Sequence, residues 1–217
     1  MSNSGSAIPL DQARAVGLAF IRDIGMAVMR AELAGSVRRE RDLVHDIEIV
    51  VIPMADVQAR LPIGFLSATS PGQLSRGDHL ERRIHEMLDR GIVTRDRPRR
   101  DTKANPLGPR YYRIGYNHQG SNYPIDLFAV KPPAQWGVVF LIRTGSAEYS
   151  HWFVQQGYGH GVRVRDGHLE RNGVTIDTPE EIDVFRRMLV PYADPKERDV
   201  EIELTWGPDE DQGEDQP

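Results

Sequence analysis

The amino-acid sequence predicts an α+β protein, in which a mixed or antiparallel sheet carries helices on one face and is followed by a small α/β unit. Three observations predict this class. Apolar residues recur at helical spacing over 10–33 and 78–90. A continuous apolar run within 44–53 is typical of a buried strand. Two further apolar segments, 110–116 and 123–130, are joined by a polar turn, which favours antiparallel pairing.

The first half of the chain alternates between helix and strand. We expect one helix over 10–33, which the small residues at 34–36 end. Pro53 ends the first strand, because proline has no N–H to donate to a sheet. A second helix follows over 78–90, and Gly91 stands in its C-cap position.

The second half predicts two helices around a hairpin. The first helix spans 147–156, and either Thr144 or Ser146 caps it. The Asp-Gly pair at 166–167 is the turn of a β-hairpin. Thr178 is the expected N-cap of the last helix, because proline and two glutamates follow it and these residues favour the first helical turn.

Composition is that of an ordinary globular protein and excludes several classes. The chain has 217 residues and no cysteine, so it has neither a disulfide framework nor a thiolate metal site. No apolar run reaches the length of a membrane span, and the polar start does not resemble a signal peptide. We therefore expect a cytoplasmic monomer without a membrane partner, in a bacterium or, for a viral protein, in its host. Residues 1–9 are expected to be disordered.

Charge is distributed unevenly along the chain. The last ten residues contain five acidic and no basic side chains, and these five account for the formal net charge of −5. We expect a last strand over 200–206 and a disordered acidic tail over 207–217. The segment 95–113 instead holds seven basic residues against two aspartates. Such a run is either a solvated loop or a contact for nucleic-acid phosphates.

One short unit of the chain combines groups that can donate hydrogen bonds to a phosphate with candidate metal ligands. Strand alternation places Asp46 and Glu48 on the same face. Two carboxylates at the start of a buried strand repel each other, and a divalent cation would remove that cost. The backbone N–H groups and hydroxyl of Gly35 and Ser36 can hold a phosphate. The guanidinium of Arg39 also suits phosphate oxygens.

A third carboxylate, Asp126, stands alone in an apolar strand. If that strand lies beside the first one, Asp126 completes a three-carboxylate cluster with the acidic pair. Nucleotidyl transfer requires both hydrogen-bond donors to a phosphate and metal ligands, and this unit carries both. Plainer interpretations remain open: the acidic pair can be an exposed strand end, Arg39 a surface charge, and Arg143 the ion-pair partner of Glu148.

The residues resemble family X DNA polymerases of the polymerase-beta type. The matching motifs occur in that family's order: Gly35-Ser36, Arg39, Asp46-x-Glu48, Ile125-Asp126-Leu127 and Thr144-Gly145-Ser146. The segments starting at Thr178-Pro179 and at Pro195-Lys196 are similar to the end of that family's thumb. The resemblance covers roughly residues 10 to 200. It implies a nucleotidyltransferase palm over 10–140 and a thumb over 141–206.

The resemblance also implies roles and partners. Asp46, Glu48 and Asp126 would be the catalytic residues and would hold two Mg²⁺ ions, with Mn²⁺ as a substitute. The implied partners are a dNTP and primer-template or gapped DNA. The residues that would bind the nucleotide are Gly35, Ser36, Arg39, Thr144, Gly145 and Ser146. The basic residues that we expect to contact DNA are Lys103, Arg110 and Arg143.

The chain departs from the family pattern in four places. It starts at the palm, without the lyase domain and helix-hairpin-helix modules of larger members, as reduced members do. Glu48 stands where the family usually has aspartate. Ile142-Arg143 replaces aromatic residues that screen the sugar, and Pro124 replaces a basic residue that helps to place the primer.

Three hypotheses follow. The first is a DNA-directed DNA polymerase that adds dNTPs to a primer 3′-hydroxyl in gap filling or repair. The second is a template-independent nucleotidyltransferase that acts on RNA ends or a small molecule; Glu48 and Arg143 leave it open, and the thumb-like half disfavours it. The third is a catalytically weak DNA-binding module, which the presence of all three carboxylates disfavours.

Overall fold

The computed structural model describes residues 7–54, 79–95, 107–108 and 110–199, the pair 107–108 as backbone only. The helices are α1 (Leu10–Ile24), α2 (Gly35–Arg38), α3 (His79–Asp89), α4 (Trp136–Thr144), α5 (Ala147–Gln156) and α6 (Glu181–Met188). The strands are β1 (Ile8–Pro9), β2 (Val28–Leu33), β3 (Leu43–Val44), β4 (Ile47–Pro53), β5 (Val93–Arg95), β6 (Leu107–Gly108), β7 (Tyr111–His118), β8 (Ser121–Ala129), β9 (Val162–Arg165), β10 (His168–Arg171) and β11 (Val174–Ile176).

The main sheet is mixed. Its strands are hydrogen-bonded in the order β2, β4, β8, β7, β5, and β6 also pairs with β7. The central pair β4 and β8 runs parallel. The other described neighbours are antiparallel. This mixed sheet with packed helices is compatible with the predicted α+β class.

The two faces of the main sheet pack against different helices. Alternate residues of β4 and β8, among them Ile49 and Leu127, form the larger core with α1 and α3. The opposite face, with Val50 and Phe128, packs against Trp136 of α4. The prediction of helices on one face only is therefore wrong. Because α4 is apolar almost all round, it is buried on several sides and covers the second face as well.

A second core lies in the C-terminal part of the chain. Val138 and Leu141 of α4 pack there with Phe153 of α5 and Phe185 of α6, against the small sheet β9–β10–β11. The predicted hairpin between β9 and β10 is confirmed, because His168 pairs with Arg165 across the turn. Helix α4 thus contributes side chains to both this core and the sheet face beneath it.

The predicted cap of the helix at 147–156 is resolved in favour of Ser146. Its hydroxyl accepts a hydrogen bond of 3.1 Å from the backbone N–H of Tyr149. Thr144 is instead the last residue of α4, and its side chain is fully buried. The bounds of α5 match the predicted helix, because a serine N-cap satisfies an N–H group that the first turn leaves unpaired.

The single helix predicted over 10–33 is wrong. Helix α1 ends at Ile24, and Gly25 follows with a φ of 45°, a conformation that favours glycine. A 3₁₀ turn leads into β2, which pairs antiparallel with β4. The hydrogen bonds of this sheet edge outweigh the helical propensity of the alanine-containing sequence.

Thr178 does not cap the last helix. Its hydroxyl donates a hydrogen bond of 2.8 Å to the carbonyl of Ala134, and its own carbonyl accepts one of 2.9 Å from the N–H of Gly137. Helix α6 is capped by Glu180, whose side chain forms a reciprocal capping box with Asp183. The threonine therefore ties the approach to α6 to the start of α4.

The predicted disorder over 1–9 is wrong for Ile8 and Pro9, which form β1 and pair with β3 because Ile8 is buried in the larger core. The predictions for 200–206, for the tail at 207–217 and for Lys103 lie outside the described residues. Within the described ranges, no helix is both long enough and apolar enough to cross a membrane.

Candidate active site

The structure places Glu48 and Asp126 beside each other. They are Cα partners in the parallel pairing of β4 with β8. Paired residues of neighbouring strands share a face of the sheet, so both carboxylates project from the face that also carries Phe128. Asp46 lies two residues before Glu48, just ahead of β4. The condition set by the sequence, that the strand with Asp126 lie beside the first strand, is met.

Both other carboxylates act electrostatically on Glu48. The pKa of its carboxyl is raised from 4.5 to about 7, chiefly by burial and also by the negative charges of Asp46 and Asp126. The guanidinium groups of Arg143 and Arg39 oppose this rise. The charge of Glu48 is thus affected by the two other predicted metal ligands and by two arginines predicted to contact phosphate or DNA.

Asp126 is held by two residues of the neighbouring strand. Arg113, its direct cross-strand partner, places Nη1 2.9 Å from Oδ2 and 3.1 Å from Oδ1. The hydroxyl of Tyr111 donates a hydrogen bond of 2.9 Å to Oδ1. Asp126 itself is 7% exposed, so this pairing takes place largely out of water. The sequence argument missed both partners, although a basic residue in an otherwise apolar strand was a visible signal.

The Gly35-Ser36 turn lies directly over Glu48. The backbone N–H of Ala34 donates a hydrogen bond of 2.8 Å to the Glu48 carbonyl. Gly35 has a φ of 56°, and a Cβ at this position would lie 2.0 Å from Oε2 of Glu48. Only glycine therefore fits between the turn and the carboxylate. The predicted phosphate turn and the predicted metal ligands form one site.

Arg39 connects this turn to the end of α4. Its Nη2 donates a hydrogen bond of 3.2 Å to the Ser36 hydroxyl, and its Nη1 donates one of 2.6 Å to the Thr144 carbonyl. The side chain is only 10% exposed, so it is not the free surface charge of the plainer interpretation. Two of the turns predicted to bind nucleotide are joined by this guanidinium.

The Thr144-Gly145-Ser146 turn is tightly packed. The hydroxyl of Thr144 accepts a hydrogen bond of 2.8 Å from Arg38. A Cβ on Gly145 would lie 2.7 Å from the ring of Tyr149, so glycine permits the close approach of α5. The turn thus reaches the site through Arg39, while the hydroxyl groups of its threonine and serine are engaged elsewhere in structural hydrogen bonds.

The two described residues that are predicted to contact DNA, Arg143 and Arg110, lie in different surroundings. Arg143 is exposed, lies with Cζ 4.0 Å from the centre of the Phe128 ring, and acts on Glu48. Arg110 is exposed at the start of β7, where its carbonyl accepts a hydrogen bond from the N–H of Ala129. Of the predicted DNA contacts, Arg143 therefore acts electrostatically on Glu48.

A buried ion-pair triad fixes the site to the C-terminal part. Glu181 is 7% exposed and accepts hydrogen bonds of 2.7 and 2.8 Å from Arg38. It also accepts bonds of 2.6 and 3.2 Å from the fully buried Arg198. Burial works against ionisation, but these two hydrogen-bonded guanidinium groups hold the pKa of Glu181 below its usual value.

The carboxylates fit a hard divalent cation by their chemistry. The pKa of Glu48 is raised by burial and by repulsion from Asp46 and Asp126, and a cation among the three groups would offset both costs. The described residues contain no group of three His, Asp or Glu side chains already drawn together around a point, and Asp126 is hydrogen-bonded to Arg113 and Tyr111. Asp46, Glu48 and Asp126 are the residues that would hold such an ion.

No protein-family model matches this chain, and no curated protein matches it at a significant level.

Proposed function

We propose that this chain is a nucleotidyltransferase with a palm and a thumb, and specifically a DNA-directed DNA polymerase that adds dNTPs to a primer 3′-hydroxyl in gap filling or repair. One observation carries the proposal. Asp126 lies in parallel register with Glu48, Asp46 acts on the same carboxylate, and the glycine–serine turn closes over it. The resemblance to family X polymerases supplies the substrate class.

The residues divide the work of in-line phosphoryl transfer. Asp46, Glu48 and Asp126 would hold two Mg²⁺ ions, or Mn²⁺ in their place, and these ions would supply activation of the attacking hydroxyl and neutralisation of charge on the triphosphate. Ser36 and Arg39 orient the triphosphate through hydrogen bonds. The pKa of Glu48 is raised to about 7 by burial and by the neighbouring carboxylates, and a bound cation would favour its ionised form.

The exposed arginines supply the contact with nucleic acid. Arg143 stands at the edge of the site with its charge above Phe128, and Arg110 lies exposed at the start of β7. A guanidinium beside the carboxylates is placed to meet a primer-terminal phosphate, and phosphate contacts position a duplex without reading its sequence. Lys103 is proposed for the same role from the sequence alone.

The test is single-nucleotide incorporation on a one-nucleotide-gapped duplex with Mg²⁺. Each dNTP is supplied separately, opposite each of the four template bases. Asp126→Asn is compared with wild type and with Asp89→Asn, a matched loss of one negative charge from the exposed end of α3. Thermal unfolding of each variant verifies that it is folded before its activity is compared.

We expect template-matched incorporation by wild type and Asp89→Asn, and a loss of at least about a thousandfold in Asp126→Asn because the metal ligand is gone. Incorporation that ignores the template base would establish the template-independent nucleotidyltransferase instead. Binding of the gapped duplex without any incorporation would establish the DNA-binding module. Full activity in folded Asp126→Asn would reject the assignment of this site.

A further inference from the structure

Asp199 lies between Arg39 and Arg41, two arginines that follow the Gly35-Ser36 turn. Its Oδ1 is 3.0 Å from Nε of Arg39, and its Oδ2 contacts Nε of Arg41. The Asp199 side chain is 14% exposed and that of Arg39 is 10% exposed. Charges this far removed from water are screened weakly, so their geometry is held more firmly than that of surface ion pairs.

Asp199 lies against the Nε edge of the Arg39 guanidinium, whose two terminal nitrogens are engaged by other residues. Nη1 donates to the Thr144 carbonyl and Nη2 donates to the Ser36 hydroxyl. Nε faces Asp199 at ion-pair distance, although its N–H is not aligned for a hydrogen bond. A guanidinium has five N–H groups. Within the described part of the chain, one N–H on each terminal nitrogen has no acceptor and can donate to a ligand.

The charge balance leaves Arg39 attractive to an anion. A single carboxylate shared by Arg39 and Arg41 leaves one net positive charge on the three groups. Arg39 also acts on Glu48 electrostatically, so this charge is felt at the carboxylate site. Asp199 therefore orients the guanidinium without neutralising it.

Asp199 is itself held by buried neighbours. The residue before it, Arg198, is fully buried and paired with Glu181. The Arg198 carbonyl accepts a hydrogen bond of 3.0 Å from the N–H of Ser146, at the turn between α4 and α5. These contacts anchor the backbone at position 198, so the aspartate next to it has a defined place against the phosphate turn.

We infer that Asp199 is the positioning residue that aims the Arg39 guanidinium at the triphosphate of the incoming nucleotide. The inference rests on the proposed function and extends it, because it assigns a role in nucleotide affinity to a C-terminal residue far from Arg39 in sequence. Asp199 acts through Arg39 and does not itself contact the nucleotide.

Two measurements on the full chain separate this role from a structural one. The first is the dissociation constant for inorganic tripolyphosphate with Mg²⁺, by calorimetry, which needs no turnover. The second is KM and kcat for the matched dNTP on the gapped duplex. Wild type is compared with Asp199→Asn and with Arg41→Gln, which breaks the other ion pair of Asp199 and leaves Arg39 untouched.

We expect Asp199→Asn to weaken tripolyphosphate binding and raise KM about tenfold, with kcat within about threefold of wild type, because a misaimed donor loses binding first. Arg41→Gln removes one half-exposed positive charge but leaves Asp199 against Nε of Arg39, so it should weaken both constants by less than about threefold. Arg39→Lys keeps the charge without Nε, so adding Asp199→Asn to it should cause no further loss.

Unchanged affinity in Asp199→Asn would overturn the inference, as would an equal loss of affinity in Arg41→Gln. If Asp199→Asn does not fold, Asp199→Glu replaces it, and an unchanged KM in that variant would likewise overturn the inference. If wild type binds tripolyphosphate but incorporates no nucleotide, the polymerase proposal fails while the comparison of dissociation constants still decides the role of Asp199. If wild type binds no triphosphate, both fail.

Discussion

Glu48 and Asp126 are direct neighbours in parallel strands although both are acidic. Like charges side by side on a sheet destabilise it, and here burial adds to the cost. Such a pairing lowers the stability of the fold, so a bound ligand explains it better than folding does. Functional sites often lose stability in this way.

Glu48→Gln should therefore stabilise the protein in the absence of metal. A carboxyl whose pKa is raised in the folded state binds its proton more tightly there, so stability falls as pH rises from about 4.5, the unfolded value, to about 7. The variant should be more stable than wild type by about 3 kcal/mol at pH 8. The two should be equal near pH 4.5. Urea denaturation in a chelator across this range measures the difference.

The same pair of proteins tests the metal. Mg²⁺ should raise the unfolding temperature of wild type, because a bound cation stabilises only the folded state, and should have little effect on Glu48→Gln. A pH-independent difference in stability between the two proteins would contradict the assigned environment of Glu48.

Gly35→Ala should disrupt the site itself. The new Cβ would lie 2.0 Å from Oε2 of Glu48 on a backbone with a φ of 56°, so the Glu48 carboxylate or the turn must shift. We expect a loss of about 3 kcal/mol in the free energy of unfolding and of most of the incorporation activity. Gly161→Ala is the control, because Gly161 is also left-handed but has open space around it. It should lose about 1 kcal/mol and no activity.

Glu181→Gln should be strongly destabilising. It leaves Arg38 and the fully buried Arg198 without their shared carboxylate, at a cost of about 3–5 kcal/mol by chemical denaturation. Glu86→Gln breaks an exposed ion pair within α3 and should change stability by less than about 0.5 kcal/mol. Equal effects of the two substitutions would show that the triad is not buried as described.

The triad also predicts an acid transition. The pKa of Glu181 is lowered in the folded state, so its contribution is present above the unfolded value of about 4.5 and is lost as pH falls below it. Wild type should lose stability steeply in that range, and Glu181→Gln should lose less over the same interval. Parallel pH profiles would argue against this linkage.

Arg143→Met should shift the pH dependence of metal binding. The charge of Arg143 opposes the rise in the pKa of Glu48, so removing it should raise that pKa further. Binding of Mn²⁺, followed by electron paramagnetic resonance, should then need a higher pH than in wild type. Arg143→Lys keeps the charge and should stay close to wild type. A shift to lower pH in Arg143→Met would reject the contact.

The site could be foreseen from the sequence only in part. Alternation along a strand places residues 46 and 48 on one face, and a glycine–serine turn before them is visible as letters. The partnership of Glu48 with Asp126 depends on strand register, and a slip of one residue would move Asp126 to the opposite face. From the sequence, this partnership could be predicted only on the condition that the two strands are neighbours.

The remaining features depend on contacts between distant parts of the chain. Arg113 meets Asp126 through antiparallel pairing, and Asp199 meets Arg39 after the whole C-terminal part has folded back. The misassigned strand β2 has the same origin, since its stability comes from pairing with β4 rather than from its own propensity. Local patterns can mark such a residue as unusual, as they do for Arg113, but they do not identify its partner.

The position of helix α4 has a consequence for how this protein unfolds. The boundary predicted between residues 140 and 141 falls in the middle of this helix, whose Phe140 belongs to one core and whose Leu141 belongs to the next. A truncation at that boundary would strip two cores at once, so neither fragment would be expected to survive alone. Heating should accordingly melt the two halves in one cooperative step rather than in sequence.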